Sequence, residues 1–178
     1  MLEVTGVPCS GKSYILNSKF SCDNVLNKHL AIKLVSLCCA FLELKYTEIG
    51  RIIKMVFKEQ CSFLYKLKLL FNVLSKFGVY YLYRNKSIII DEGISHIPFN
   101  LLTTPLIEYK DILQVRLCDI DVLLLSSPNF NVLTDRFNSR GHPRLDFISL
   151  NEFMELNSDV YTKVLQEYPK ICKSLKVY

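Results

Sequence analysis

The chain reads as an α/β protein: a mostly parallel sheet of about five strands, flanked by helices in three layers. Three stretches predict this. Met1–Thr5 is a short strand-like start that runs straight into Gly6–Val7–Pro8–Cys9–Ser10–Gly11–Lys12–Ser13, a G-x-x-x-x-G-K-S pattern with helix-compatible residues after it. Ser87–Gly93 places Ile88, Ile89 and Ile90 ahead of Asp91–Glu92–Gly93, the composition of a strand buried on both faces. Asp121–Ser126 is a second buried run, ended by Pro128.

The elements follow in order. Ser13–Ser18 continues the opening motif as a first helix, and Phe20–Val25 reads either as a short second strand or as a loop. From about residue 27 to 84, apolar residues recur at three- and four-residue intervals: Leu30, Leu34, Leu37 and Phe41, then Phe63, Leu67, Leu70 and Leu74. That period predicts about three helices, with breaks near Lys45–Thr47 and Lys58–Glu59. A helix is expected over Asn100–Tyr109, after Pro98, and an arginine-bearing one around Thr134–Arg140, broken by Gly141–His142–Pro143. Ser149–Cys172 is amphipathic, with a break expected at Pro169, and Lys173–Tyr178 has room for an edge strand.

Composition limits the function classes. At 178 residues the chain is expected to be one domain (1–178), with a helical insert over about 27–84 and an arginine-bearing segment over about 130–145. Half the residues are hydrophobic and 22% are charged, which suits a packed core. The apolar runs Leu30–Leu44 and Leu67–Leu82 contain Lys33, Lys68 and Lys76, so no membrane partner is expected. A net charge of +5 is satisfied by polyphosphate ligands and supports nucleic-acid binding only weakly. The seven cysteines show neither a CxxC pair nor zinc spacing, which points to reduced thiols and a cytoplasmic location.

The motifs specify chemistry. Gly6 and Gly11 let backbone approach a phosphate, and the N–H groups of Val7 and of Cys9 through Ser13, with Pro8 shaping the loop between them, form an anion cradle at a helix start. Lys12 can reach the β- and γ-phosphates, and the Ser13 hydroxyl suits a magnesium ion. About eighty residues later, Asp91 stands at the end of a buried strand, where a magnesium-site carboxylate belongs. Glu92 beside it is the candidate general base, although either carboxylate could take the proton. Arg136 and Arg140, four apart, share a helix face.

This order of parts resembles the small P-loop kinases of the nucleoside and nucleotide (thymidylate- and adenylate-kinase-like) superfamily. The resemblance is motif-specific only at Gly6–Ser13, Ile88–Glu92 and Arg136–Arg140. It implies a P-loop NTPase fold in which Arg136 and Arg140, with Arg144 a third candidate, form a lid. It also implies ATP and Mg2+ as cofactors and a small-molecule phosphoryl acceptor held by the helical insert. The family's D-R-Y or E-R-S type triplet is replaced here by Asp91–Glu92–Gly93, so the acceptor stays open: nucleoside, nucleotide, sugar or another hydroxyl metabolite. Arg51 and Lys54 could meet an acceptor phosphate or simply face solvent. The choice of ATP over GTP and the oligomeric state are not readable.

Other P-loop classes fit less well. Asn27–Leu30 and Asn85–Ile88 imitate a GTPase N-K-x-D motif without its Asp, and no LSGGQ-like signature is present. The alternative is an assembly or remodelling ATPase, which would hydrolyse ATP with Asp91 and Glu92.

Overall fold

The computed structural model describes residues 1–20, 25–26 and 30–178; of Leu30 and Arg140 it describes the backbone alone. β1 (Leu2–Thr5) leads through the Gly6–Gly11 turn into α1 (Lys12–Lys19). Three helices follow: α2 (Leu30–Glu43), α3 (Tyr46–Lys58) and α4 (Phe63–Tyr83). Then come β2 (Ile89–Asp91), a short α5 (Ile97–Asn100), α6 (Lys110–Leu117) and β3 (Asp121–Leu124). The chain continues with α7 (Phe130–Arg140), α8 (Leu150–Ile171) and β4 (Ser174–Val177).

Among the described residues the sheet has four strands, not five, all parallel, in the order β2-β1-β3-β4. Of the Phe20–Val25 stretch, Ser21–Asn24 lie outside the described residues, and Val25 makes a single parallel bridge to Ile89 at the sheet edge. Each parallel pair needs a crossover, and helices supply it on both faces of the sheet. On one face Val4 and Leu125 pack against Ile15 and Leu16 of α1. On the other, Val122 and Leu124 join the main core with Ile112 and Leu113 of α6 and Phe153 and Val164 of α8. β1 is central, so its carboxyl end and those of β2 and β3 lie side by side, the place where open parallel sheets bind ligands.

The helix breaks fall where the period predicts them. Glu43 ends α2 two residues before Lys45 caps α3, and the Glu48 carboxylate reaches back to the Lys45 N–H at 2.8 Å. Ser62 caps α4 by accepting from the Tyr65 N–H at 3.2 Å. α2 and α4 pack so closely that a side chain at Gly78 would sit 1.6 Å from the Ser36 carbonyl oxygen, so only glycine fits there. Two expectations are corrected. The helix expected over Asn100–Tyr109 is instead the short α5, a 3-10 turn at Leu106–Glu108, and α6 beginning at Lys110. Pro98 sits in the first turn of α5, where a missing N–H costs nothing, and Pro105 separates that helix from the 3-10 turn. At Pro169 α8 does not break: buried Tyr168 and Ile171 hold the last turn while Pro169 lies on the exposed side. Packing outweighs the single lost hydrogen bond.

Candidate functional site

The end of β2 and the loop after β1 converge. Val4 stands opposite Asp91 in the ladder, and the Glu92 N–H donates to the Val4 carbonyl at 3.1 Å, so Asp91 and Glu92 lie beside Thr5 and Gly6. The loop turns through three residues of positive φ: Gly6 (151°), Cys9 (62°) and Gly11 (95°). It is closed by the Ser10 N–H donating to the Val7 carbonyl at 3.2 Å, and α1 begins immediately after it. The Ser10 hydroxyl is buried inside this turn with no hydrogen-bond partner among the described residues. A buried orphan hydroxyl is costly, and an anion seated in the loop would satisfy it.

Lys12 is folded back over its own loop. Its ammonium donates to the carbonyls of Gly6 (3.3 Å) and Val7 (3.2 Å) and lies 3.1 Å from the Glu92 carboxylate. Glu92 has a left-handed backbone (φ 54°), costly for a residue with a side chain, so its neighbours must hold it there. Lys76 of α4, itself buried, donates to the Glu92 carbonyl. The imidazole Nε2 of His96 stands 3.5 Å from the carboxylate. The charge of His96, then those of Lys12 and Lys76, holds the Glu92 carboxyl well below the ordinary range, although burial pulls the other way. While those cations face it, Glu92 is a weak proton acceptor.

Beneath these groups Glu3 of β1 is fully buried. Its carboxylate accepts from the Ile94 N–H at 3.1 Å and the Ser95 N–H at 2.7 Å. It crosses so near Gly93 that a Cβ there would come within 2.1 Å of it. The Asp91–Glu92–Gly93 sequence therefore has a local steric reason: Gly93 makes room for the carboxylate that anchors the turn carrying Glu92 and His96.

A cavity of about 920 Å³ opens onto this junction. Ser13, Asp91 and Glu92 form one end, and α2 and α4 form the walls with Leu34, Leu37 and Phe71. Three lysines line it: Lys33, Lys68 and Lys76. Asp91 is half-buried and Ser13 exposed, both toward the same space.

The arginines part company. Arg136, exposed on α7, donates to the Cys9 carbonyl at 2.6 Å and so reaches the loop. Arg140 is the last residue of α7, and its side chain lies outside the described residues. Arg144 is not a lid cation. It is buried, 3.1 Å from the buried Glu59 carboxylate and bonded to the Asn100 carbonyl, a clamp between the segment after α7 and the core. Burial raises the Glu59 carboxyl above its ordinary value while Arg144, Thr103 and Thr104 oppose that. Arg51 does not meet the cavity either: it grips the Asp111 carboxylate at 2.7 and 2.9 Å, and neither it nor Lys54 lines the walls. His96, Lys76 and Glu3 escape sequence reasoning. The one hint is the four-residue spacing of Glu92 and His96, too common to single out.

Among the described residues, no helix is long and apolar enough to cross a membrane, and no three His, Cys, Asp or Glu side chains group as a metal cage. Compared with known proteins, the chain matches no family model, no curated protein and no solved structure.

Proposed function

We propose that this protein is a P-loop phosphotransferase of the nucleoside and nucleotide kinase-like type, moving the γ-phosphoryl group of ATP to a hydroxyl-bearing small molecule. The Gly6–Ser13 loop would cradle the phosphates with its N–H groups and fill the unmet demand of the Ser10 hydroxyl. Lys12 would exchange the Gly6 and Val7 carbonyls for phosphate oxygens. Arg136, already at the loop, would add a planar donor to the charge that develops during transfer. Arg140 ends the same helix, four residues on.

Magnesium fits the donors present. It accepts one or two protein oxygens and completes its shell with phosphate and water, so Ser13 and Asp91 on one cavity wall suffice without a protein cage. When bound, it neutralises charge on the β- and γ-phosphates. Asp91 and Ser13 would hold it, and Glu92, the candidate base, would orient the acceptor hydroxyl; Lys12 turning to the phosphates would remove one of the three charges, those of His96, Lys12 and Lys76, that hold its carboxyl low.

The observation that carries this reading is the size of the cavity. The alternative, an assembly or remodelling ATPase using Asp91 and Glu92, needs a place for one water, about 30 Å³. The space facing these two carboxylates is about 920 Å³, and its walls are largely apolar. That suits a small-molecule site, typically about 300–1,000 Å³. The test is a thermal-shift screen with ATP, magnesium and a panel of nucleosides, nucleotides, sugars and other hydroxyl metabolites. A compound that stabilises beyond MgATP and is then phosphorylated by wild-type protein but not by Lys12→Ala supports the reading. Rescue of ATP turnover on mixing Arg136→Ala with Lys12→Ala protein would instead favour a site shared across subunits, as the ATPase requires.

A further inference from the structure

We propose that the acceptor is itself a phosphate monoester, with its hydroxyl at one end, an apolar body, and at the other end a phosphate held by Lys33 and Lys68. The proposal deepens the phosphotransferase reading and rests on it. The cavity above Asp91 and Glu92 differs from end to end. Its two carboxylates lie with Ser13 at the sheet end, where the γ-phosphoryl group would arrive. Lys76 marks that end on α4, because it donates to the Glu92 carbonyl. Along the same helix face Ser75 and Asn72 come next and Lys68 stands last, eight residues and about 12 Å from Lys76.

α2 runs beside α4 in the same direction: Ser36 lies against Gly78, and Glu43 meets Arg84 at 3.4 Å. The N-terminal ends of both helices therefore belong to one end of the cavity. Lys33 stands a turn before Leu37, as Lys68 stands before Lys76, and helical side chains lean toward the N-terminus. Both lysines are thus placed away from the carboxylates. Both are exposed, and among the described residues neither faces a carboxylate, whereas Lys58, Lys110, Lys170 and Lys173 each do. At its separation Lys68 also lies beyond the screening length of about 10 Å at 0.1 M salt, so it is not the counter-charge of Asp91 and Glu92.

Between the two ends the walls are apolar, with Leu34, Leu37 and Phe71. A ligand that matches this order is anionic at one end only. Two ammonium groups balance a phosphate dianion more closely than a carboxylate or a neutral polyol, and lysine serves phosphate as a point charge. The same charges set the orientation. A phosphate is drawn to the lysines and repelled by Asp91, Glu92 and the phosphates of the nucleotide, so the hydroxyl is the end presented for transfer.

The test uses three probes that share one aromatic body and differ in the end group: 1-naphthyl phosphate, 1-naphthoate and 1-naphthol. Each is titrated calorimetrically into the full chain while magnesium and a non-hydrolysable ATP analogue fill the phosphate loop. Wild-type protein should bind naphthyl phosphate about tenfold more tightly than naphthol, with naphthoate between them. Lys33→Gln and Lys68→Gln should each remove about two- to fivefold of that preference, and the double variant nearly all of it. Naphthol affinity and the Kd for MANT-ATP should stay within about threefold of wild type. The proposal is overturned by naphthol or naphthoate binding as tightly as naphthyl phosphate, by no probe binding, or by a preference that survives in the double variant. It is overturned too if the double variant loses MANT-ATP in step, which would put the lysines at the donor's phosphates. If wild-type protein does not bind MANT-ATP, the phosphotransferase reading fails and takes this inference with it. A protein that binds MANT-ATP and shows no phosphate preference sinks the inference alone.

Discussion

Replacing Glu92 by glutamine should tighten ATP binding while it slows turnover. In the structure Lys12 is engaged by the Glu92 carboxylate at 3.1 Å, and the phosphates can have its full charge only by breaking that pair. At this distance two unit charges attract by about 5 kcal/mol at an effective dielectric near 20, before desolvation is counted. Lys12 is 8% exposed but Glu92 is 38% exposed, so water screens one side. Exposed pairs contribute about 0.2–1 kcal/mol and the loss of one partner of a buried pair costs about 3–5, so about 1–2 kcal/mol is a fair figure here. Glutamine keeps the shape and removes the charge, which releases that amount to binding: a Kd about 5–30-fold lower. The assay is calorimetric titration with a non-hydrolysable ATP analogue at fixed magnesium, beside a turnover measurement. The carboxyl is held far below its usual range, so its pairing is complete above the ordinary carboxylate pKa and is lost only as pH falls through the depressed value. The effect should therefore be flat across neutral pH. A Kd that rises or stays put in Glu92→Gln would show that Lys12 is not competed for, and the reasoning would be wrong.

Asp91→Asn should depress magnesium-dependent turnover far more than nucleotide affinity, since Lys12 and the loop still hold the phosphates; parallel Kd and kcat measurements check this. Arg144→Met should leave Glu59 buried without its counter-charge and cost about 3–5 kcal/mol. For a chain of this size that lowers Tm by about 6–20 °C, and adding Glu59→Gln should restore much of the loss. His142 is shifted from its ordinary value to about 4, chiefly by burial and then by the charge of Arg144. The unfolded chain therefore binds the extra proton first, and stability should fall as pH drops from about 6.5 to 4, by about 2–3 kcal/mol from this group. Tm against pH for His142→Gln should lack that component.

Much of the fold was legible because its signals are local. The G-x-x-x-x-G-K-S run, the Ile88–Ile90 strand and the apolar run after Asp121 each declare themselves within a few residues, and β1, β2 and β3 stand where those runs predict. The helix breaks at Lys45 and after Lys58 come from caps and polarity. What failed was set by distant contacts. Pro169 should stop a helix in isolation, but Tyr168 and Ile171 on either side of it are buried in the core. Arg144 looks like one more arginine of an exposed run until Glu59, far back in the chain, is found against it. Gly93 looks like a turn residue, and its real constraint is the Glu3 carboxylate of another strand.

The cavity wall was the least legible part, for a reason in the physics of helix patterns. A 3.6-residue period tells which side chains share a face and says nothing of what that face meets. Leu34, Phe41 and Phe63 belong to the apolar rhythm that predicts α2 and α4, and the natural inference is a buried seam. In the structure they are 59%, 56% and 63% exposed, while Leu74, in the same rhythm, is 5% exposed. The rhythm thus runs past the helix–helix contact, and part of it, with Leu34, Leu37 and Phe71, becomes the wall of the cavity above Asp91 and Glu92. A hydrophobic wall left open to solvent next to two carboxylates and three lysines carries a free-energy cost that core packing does not explain. An apolar-bodied acceptor closing on that wall would remove it from water at about 25 cal/mol per Å². Under the proposed phosphotransferase reading, the same residues that blurred the fold prediction are the ones an acceptor would contact.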